Sequence, residues 1–344
     1  MDYPGEKLLE KMWETLAEKG IGSLLRPWQE KRVADARAEI RRKEMLLIAQ
    51  TEVEVASIKS GNSCFQLKPD VKSLNAPADR VDESGRIEPT IDLSELASIV
   101  GNNDFSEAIR KETNVAKSIL VAEDILSQDQ QEASDTPLED DWLFSWREYA
   151  GKVSADELQD LWGRILAGEV KQPGTYSMRT LEFLKGLSKS EADLISKAAR
   201  FVIDGRIYRE KEVFLEADGL YFSQLLFLQD IGILSGVDAL GLTTTYKSVD
   251  ENKYYKGLIA SNKIILLEHE NKSKTAEANV YLLTRVGGEL LKLASFGVNT
   301  DYFDSVAMDY AKKGFNVKTA DFVQETAKTG RFSNAVEVKY KENA

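Results

Sequence analysis

Residues Asp140–Leu187 read DDWLFSWREYAGKVSADELQDLWGRILAGEVKQPGTYSMRTLEFLKGL, and the punctuation of this stretch decides the fold class. Trp142 to Ala150 forms a tryptophan-rich helix that breaks at Gly151. Ser154 then opens a second helix, because Glu157 three residues later completes a capping box in which each side chain satisfies a backbone N–H. Leu158, Leu161, Trp162, Ile165 and Leu166 recur at helical spacing and share one face. Gly168 sits where a C-terminal cap belongs, and Pro173-Gly174 makes the turn. Ser177 opens a third helix with Met178, Leu181, Leu184 and Leu187 on one side. Three short helices with facing apolar stripes predict a compact central bundle over residues 140–187.

Downstream, over residues 188–297, Ser188 and Glu191 form a second capping box. Gly219 to Asp230 reads as a helix that ends at Ile231-Gly232 and runs into a strand. Strands follow at Leu242–Val249, Tyr254–Ala260, Ile264–Glu268 and Val280–Leu283, separated by Asn- and Lys-rich turns. Thr284 caps a closing helix. Helices, antiparallel strands and a closing helix predict a winged-helix-like α+β module with an enlarged sheet. The tail, 298–344, carries a helix over Asp301–Lys312 and strands at Phe315–Ala320 and Ala335–Lys341.

Upstream lie an acidic linker, 127–139, and a helical segment, 93–126, read as helices Leu93–Val100 and Phe105–Leu126. Pro69, Pro77 and Pro89 make 61–92 a linker. Residues 1–60 hold two helices. In the first, Leu8, Leu9, Met12 and Leu16 oppose a mixed-charge face. Because membrane-surface helices carry an excess of Lys and Arg, this mixture favours a docking helix over peripheral membrane contact through residues 5–28. The second, Gln29 to Lys59, has no Pro or Gly and only a narrow coiled-coil-like seam of Val33, Ile40 and Leu47. A helix with so thin a seam needs partners, and other copies of itself are the nearest candidates. The fold class is therefore mainly α with an α+β C-terminal part: long N-terminal helix, central helical bundle, winged-helix-like module.

Composition narrows the chemistry. Across 344 residues the formal net charge is −12, which disfavours a general nucleic-acid binder. One cysteine, Cys64, permits no internal disulfide, and the N-terminus lacks a signal-peptide pattern, so a cytoplasmic location is expected. A single histidine, His269, leaves a serine or cysteine triad without support, and with one Cys it cannot supply a zinc site. Neither phosphate-cradling glycine motif occurs. No catalytic residue, cofactor or metal site is assigned. The helix Gly219–Asp230, the one a winged helix would present to DNA, contains no Lys or Arg. Lys247, Lys253 and Lys256 on the following strands are the candidate phosphate contacts, interleaved with acids. Trp142, Trp146, Gln159, Trp162, Glu169 and Arg179 are the interaction candidates, against the plainer reading that Trp162 is core and that the polar three fix the turns between helices.

The run SADELQDLWGRILAGEVKQPGTYSMRTLEFLKGLSKSEA resembles the signature of a bacterial family of uncharacterised proteins, a domain of unknown function. Ser154, Glu157, Gln159, Leu161, Trp162 and Ile165 through Glu169 match its S-x-x-E-x-Q-x-L-W-x-x-I-L-A-G-E motif, with Gly163 where alanine is usual. Pro173, Gly174, Tyr176 and Ser177 match its P-G-x-[FY]-S. The layout is more distantly similar to the abortive-infection alpha proteins of phage defence, through Leu187–Ala192, Leu225–Leu234 and Leu283–Gly287. The resemblance implies no reaction. The expectation is a non-enzymatic, self-associating homo-oligomeric interaction protein, in phage defence or stress response. The alternative is a DNA-associated regulator using the C-terminal module.

Overall fold

The computed structural model describes residues 5–22, 50–51, 53, 93–129, 132–239, 242–294, 296–324 and 329–340. The expected seam of Val33, Ile40 and Leu47, the rest of that helix except Gln50, Thr51 and Val53, and the 61–92 linker lie outside the described residues. The chain divides into two compact units, Met1–Tyr176 and Ser177–Ala344.

The first unit is helical. Helix α1, Glu6–Glu18, buries Leu8, Leu9, Met12 and Leu16. Each such side chain contributes about 1.5–3 kcal/mol on full burial, which fixes the amphipathic face inside the unit. Helix α2 runs unbroken over Leu93–Ser127, where the sequence suggested two helices. Gly101 lies within it, and a Cβ there would meet nothing within 4 Å; a single glycine in open space costs a helix only about 1 kcal/mol. The acidic stretch after α2 is tied down, because the Lys11 ammonium donates to the carbonyls of Ser134 and Thr136 at 2.6 and 2.8 Å.

Helices α3, Asp140–Lys152, and α4, Asp156–Lys171, both pack on α2. Four details of α3 and α4 differ from expectation. Helix α3 continues through Gly151. The N-cap of α4 is Ala155, whose carbonyl accepts from Leu158 and Gln159, so Ser154 stands one residue too early and forms no capping box. Gly168 is inside α4 and caps nothing; a Cβ there would come within 2.7 Å of the Tyr176 ring. Gly163 likewise serves close approach, since a Cβ would lie 2.6 Å from Val121 and 2.8 Å from the Ser118 carbonyl of α2. The buried face of α4 also turns away from Leu158, which is exposed, toward Gln159, Trp162, Leu166 and Glu169.

The second unit begins with helices α5, Met178–Lys185, and α6, Lys189–Ala199. Ser188 and Glu191 form the expected reciprocal cap on α6. Helix α5, the third helix of the expected bundle, packs against α9, Arg285–Leu290. Between them come α7, Glu212–Ala217, and α8, Phe222–Asp230, which ends at Gly232 with φ 81° as the Ile-Gly pair implied. Helix α10 spans Thr300–Lys312.

The strands form two antiparallel sheets. In the first, β6, Ala276–Leu283, pairs with β1, Arg206–Tyr208, β2, Leu234–Ser235, and β3, Leu242–Tyr246. Strand β3 stops at Tyr246, short of Val249, because the Ser248 hydroxyl and the Asp250 carboxylate take the backbone into a turn. Strands β4, Tyr254–Ala260, and β5, Lys263–His269, leave that sheet and join β7, Asn316–Gln324, and β8, Gly330–Val338, in the order β4-β5-β7-β8. The strands expected to form one enlarged sheet behind α8 thus divide between two. Strand β5 buries both faces: Ile265 and Leu267 on one, Ile264 and Leu266 on the other with Ala320 and Phe322.

Candidate functional site

The polar groups of the motif-bearing helices turn inward. Asn114 of α2 donates to the Gly151 carbonyl at 2.9 Å. Gln159 donates to Asn114 at 3.1 Å and to the Val153 carbonyl at 3.3 Å, closing the α3–α4 turn. Glu169 closes the next turn, its two carboxylate oxygens accepting from the N–H groups of Gly174 at 2.5 Å and Tyr176 at 3.0 Å. The Trp142 indole donates to the Tyr176 carbonyl and that of Trp146 to the Trp162 carbonyl. Trp142, Trp146, Gln159, Trp162 and Glu169 are all buried; of the interaction candidates only Arg179 is exposed. The buried polar side chains of the motif, Gln159 and Glu169, and the two indoles therefore meet backbone partners, and the motif builds the unit.

In the second unit, Glu289 does for α5 what no residue of α5 does for itself. Its carboxylate accepts from the Ser177 N–H at 2.6 Å and from the hydroxyls of Ser177 and Thr180 at 2.8 and 2.6 Å, while Arg285 donates to its other oxygen at 2.7 Å. Burial pushes the Glu289 carboxyl up, but the hydrogen bonds from Thr180, Ser177 and Arg285 outweigh it and hold the group below its usual range.

A tyrosine cluster joins β1, β3 and α10. The Tyr208 hydroxyl lies 2.9 Å from that of Tyr246 and 3.2 Å from that of Tyr310, and the Tyr302 hydroxyl accepts from the Tyr208 N–H at 2.8 Å. Burial pushes all of these phenols up, Tyr246 to about 12. At the cluster edge, Asp204 occupies a left-handed turn position, φ 50°, with Gly205 following. Its carboxylate pairs with Arg206 at 3.0 Å and Lys256 at 3.8 Å, and desolvation still raises its pKa despite both cations. This Asp-Gly pair was the sequence signal for β1 that periodicity passed over.

The outward-facing chemistry lies elsewhere. Helix α8 buries Leu225 and Leu228 but presents Phe222 and Phe227, with Tyr221 at its N-cap. These three aromatics are 52, 41 and 54% exposed. Of the candidate phosphate contacts, Lys253 is paired with Glu268 at 3.3 Å, Lys256 is held by Asp204, and Lys247 is exposed. Among the described residues no three His, Cys, Asp or Glu side chains converge as metal ligands would, and no helix is long and apolar enough to cross a membrane.

A family model described as a protein of unknown function (DUF2806) matches residues 104–209. The matched span starts within α2, contains α3 and α4 with Gln159, Trp162 and Glu169, and stops short of α7 and α8. No curated protein and no solved structure matches the chain.

Proposed function

We propose that this chain is a non-enzymatic interaction protein that self-associates, acting in the cytoplasm in phage defence or stress response. The observation that supports an interaction role is the exposure of three aromatics at α8, Tyr221, Phe222 and Phe227, on a helix whose Leu225 and Leu228 are core. Exposed aromatics on one short helix favour a contact role, because leaving them in water forfeits the burial energy a partner would supply. The inward-turned motif of the first unit fits a scaffold that holds such surfaces. Self-association through Val33, Ile40 and Leu47 belongs to the same proposal. Light scattering on the eluting full chain should give a multiple of 38.5 kDa. A single protomer mass at all concentrations would overturn self-association. Equal plaque counts across diverse phages, with and without the gene, would count against the defence role. The DNA-regulator reading is not favoured: α8 carries no cation, and Lys253 and Lys256 are already paired with carboxylates.

A further inference from the structure

The two edges of the second sheet differ. Strand β4 is closed on its outer side, where the N–H groups of Val249 and Asp204 donate to the Tyr255 and Ile259 carbonyls at 2.9 and 2.7 Å. Strand β8 is open. Its residues from Gly330 to Glu337 are all exposed, and among the described residues no backbone hydrogen bond reaches it except from β7. A bare edge presents N–H and C=O groups to any strand that can lie beside it.

Half of this edge is blunted. Asn334 has a left-handed backbone, φ 55°, where the register with β7 shifts between Thr319 and Asp321, and its amide donates to the Asp321 carboxylate at 2.8 Å. Such a bulge bends the strand and interrupts any outer pairing there. Beyond it, Val336, Val338 and Tyr340 alternate with Glu337 and Lys339. The Glu337 and Lys339 side chains meet at 3.2 Å, so both charges lie on one side of the strand. Period-two alternation puts the three apolar side chains on the other. There Val338 lies across from the buried Val317, while Val336 is 63% and Tyr340 46% exposed, with Lys312 of α10 over the Tyr340 ring at 5.8 Å.

Residues 336–340 are complementary to themselves run backwards. With a two-fold axis at Val338, antiparallel pairing sets Val338 against Val338, and sets Val336 against Tyr340 and Glu337 against Lys339 twice each. The apolar side chains meet on one face, and on the other each carboxylate has an ammonium across from it as well as beside it. Moving the axis to Glu337 or Lys339 sets like charges against each other, and moving it between residues sets charge against apolar side chain. We infer that residues 336–340 pair with the same residues of a second copy of this chain, joining two four-stranded sheets edge to edge. The apolar and opposite-charge cross-strand pairs each add stability. The inference rests on the self-association reading and gives it a surface, independent of the Val33, Ile40 and Leu47 seam.

Two measurements on the full chain test it. In C64S/V338C the one remaining cysteine sits on the axis. Mild oxidation should link two chains there, because directly opposed residues have Cβ atoms about 4.5–5.5 Å apart. In C64S/V336C the same pairing holds the two cysteines about 13 Å apart, and no link should form. Sedimentation velocity over a concentration series then follows E337K, K339E and their equimolar mixture. Because Lys318 of β7 lies across from Glu337, circular dichroism is first checked for unchanged folding. Each single variant sets like charges across the axis twice and should weaken association by about tenfold or more. In the mixture, two ammonium groups of one chain face two carboxylates of the other, so association should return. No link in C64S/V338C, equal linking in C64S/V336C, or a mixture no more associated than its components overturns the inference. A wild type that sediments as a single protomer at every concentration overturns self-association with it. An oligomer indifferent to both charge substitutions and without the C64S/V338C link overturns only this surface and leaves self-association standing.

Discussion

The Tyr208 hydroxyl is the hinge of a buried network, and its removal should cost more than removal of either neighbour. In Tyr208→Phe, two contacts of 2.9 and 3.2 Å disappear. Neither Tyr246 nor Tyr310 keeps another hydrogen-bond partner for its hydroxyl, so both hydroxyls are left unsatisfied inside the core. Two orphaned buried hydroxyls at about 1–3 kcal/mol each place the loss at about 2–6 kcal/mol. Tyr310→Phe breaks only the longer contact and leaves Tyr208 bonded to Tyr246, so about 0.5–1.5 kcal/mol is expected. Adding Tyr310→Phe to Tyr208→Phe should recover part of the stability, because one of the two orphaned hydroxyls is removed. Urea unfolding is the assay; with a slope of about 1–3 kcal/mol per molar, the Tyr208→Phe midpoint should fall by on the order of 1 M or more. All five tryptophans, Trp13, Trp28, Trp142, Trp146 and Trp162, precede Ser177, so tryptophan fluorescence reads the first unit, and far-ultraviolet circular dichroism, which follows both units, carries the Tyr208 measurement. Equal losses in the two single variants, or strict additivity in the double, would refute the reasoning.

Gly163→Ala should lose about 1–3 kcal/mol in thermal or urea unfolding, since its Cβ would meet Val121 and the Ser118 carbonyl closer than 3 Å and one helix must shift. Thr113→Val should leave stability unchanged or raise it by about 1 kcal/mol, because the Thr113 hydroxyl is buried without a partner. Glu289 has a folded pKa below its usual 4.5, so the stability it contributes is complete above that value and is lost as pH falls through the folded pKa. Glu289→Gln should therefore lower stability near neutrality and flatten the acid limb of the stability–pH curve. At the alkaline end the sign is opposite: the phenols of Tyr208, Tyr246, Tyr302 and Tyr310 are raised above 10, so the unfolded chain releases protons first and stability falls as pH rises past 10. In the difference between wild type and Tyr302→Phe, absorbance at the phenolate band should then rise together with loss of circular dichroism; a Tyr302-dependent phenolate in the still-folded protein near pH 10 would contradict this.

What could be read from the sequence was read where the deciding interaction spans only a few residues. Ser188 with Glu191 caps α6, Thr284 begins α9 with its own side chain, Ile231-Gly232 ends α8, and Tyr254–Ala260 is a strand from end to end. A cap or a turn is closed by atoms three or four positions apart, so the local pattern contains the whole interaction. Ser154 with Glu157 shows the limit: the same pattern does not cap α4, which starts at Asp156 and turns Gln159 inward where Asn114 waits on α2. The aromatics of α8 were visible as a cation-free helix, but which of them face solvent was not.

The sequence by itself determined the helical first half, the strand-rich second half, the acidic charge that disfavours nucleic acid, and the residues that make the turns. Only the tertiary structure decided that α3 and α4 pack on α2, that β4 and β5 pair with the tail strands, and that the tail of Glu289's side chain, 112 residues along the chain from Ser177, caps α5. Those choices are made by burial and shape across long loops. Closing a long loop costs only slightly more than closing a short one, so many distant partners are entropically open and close packing selects among them.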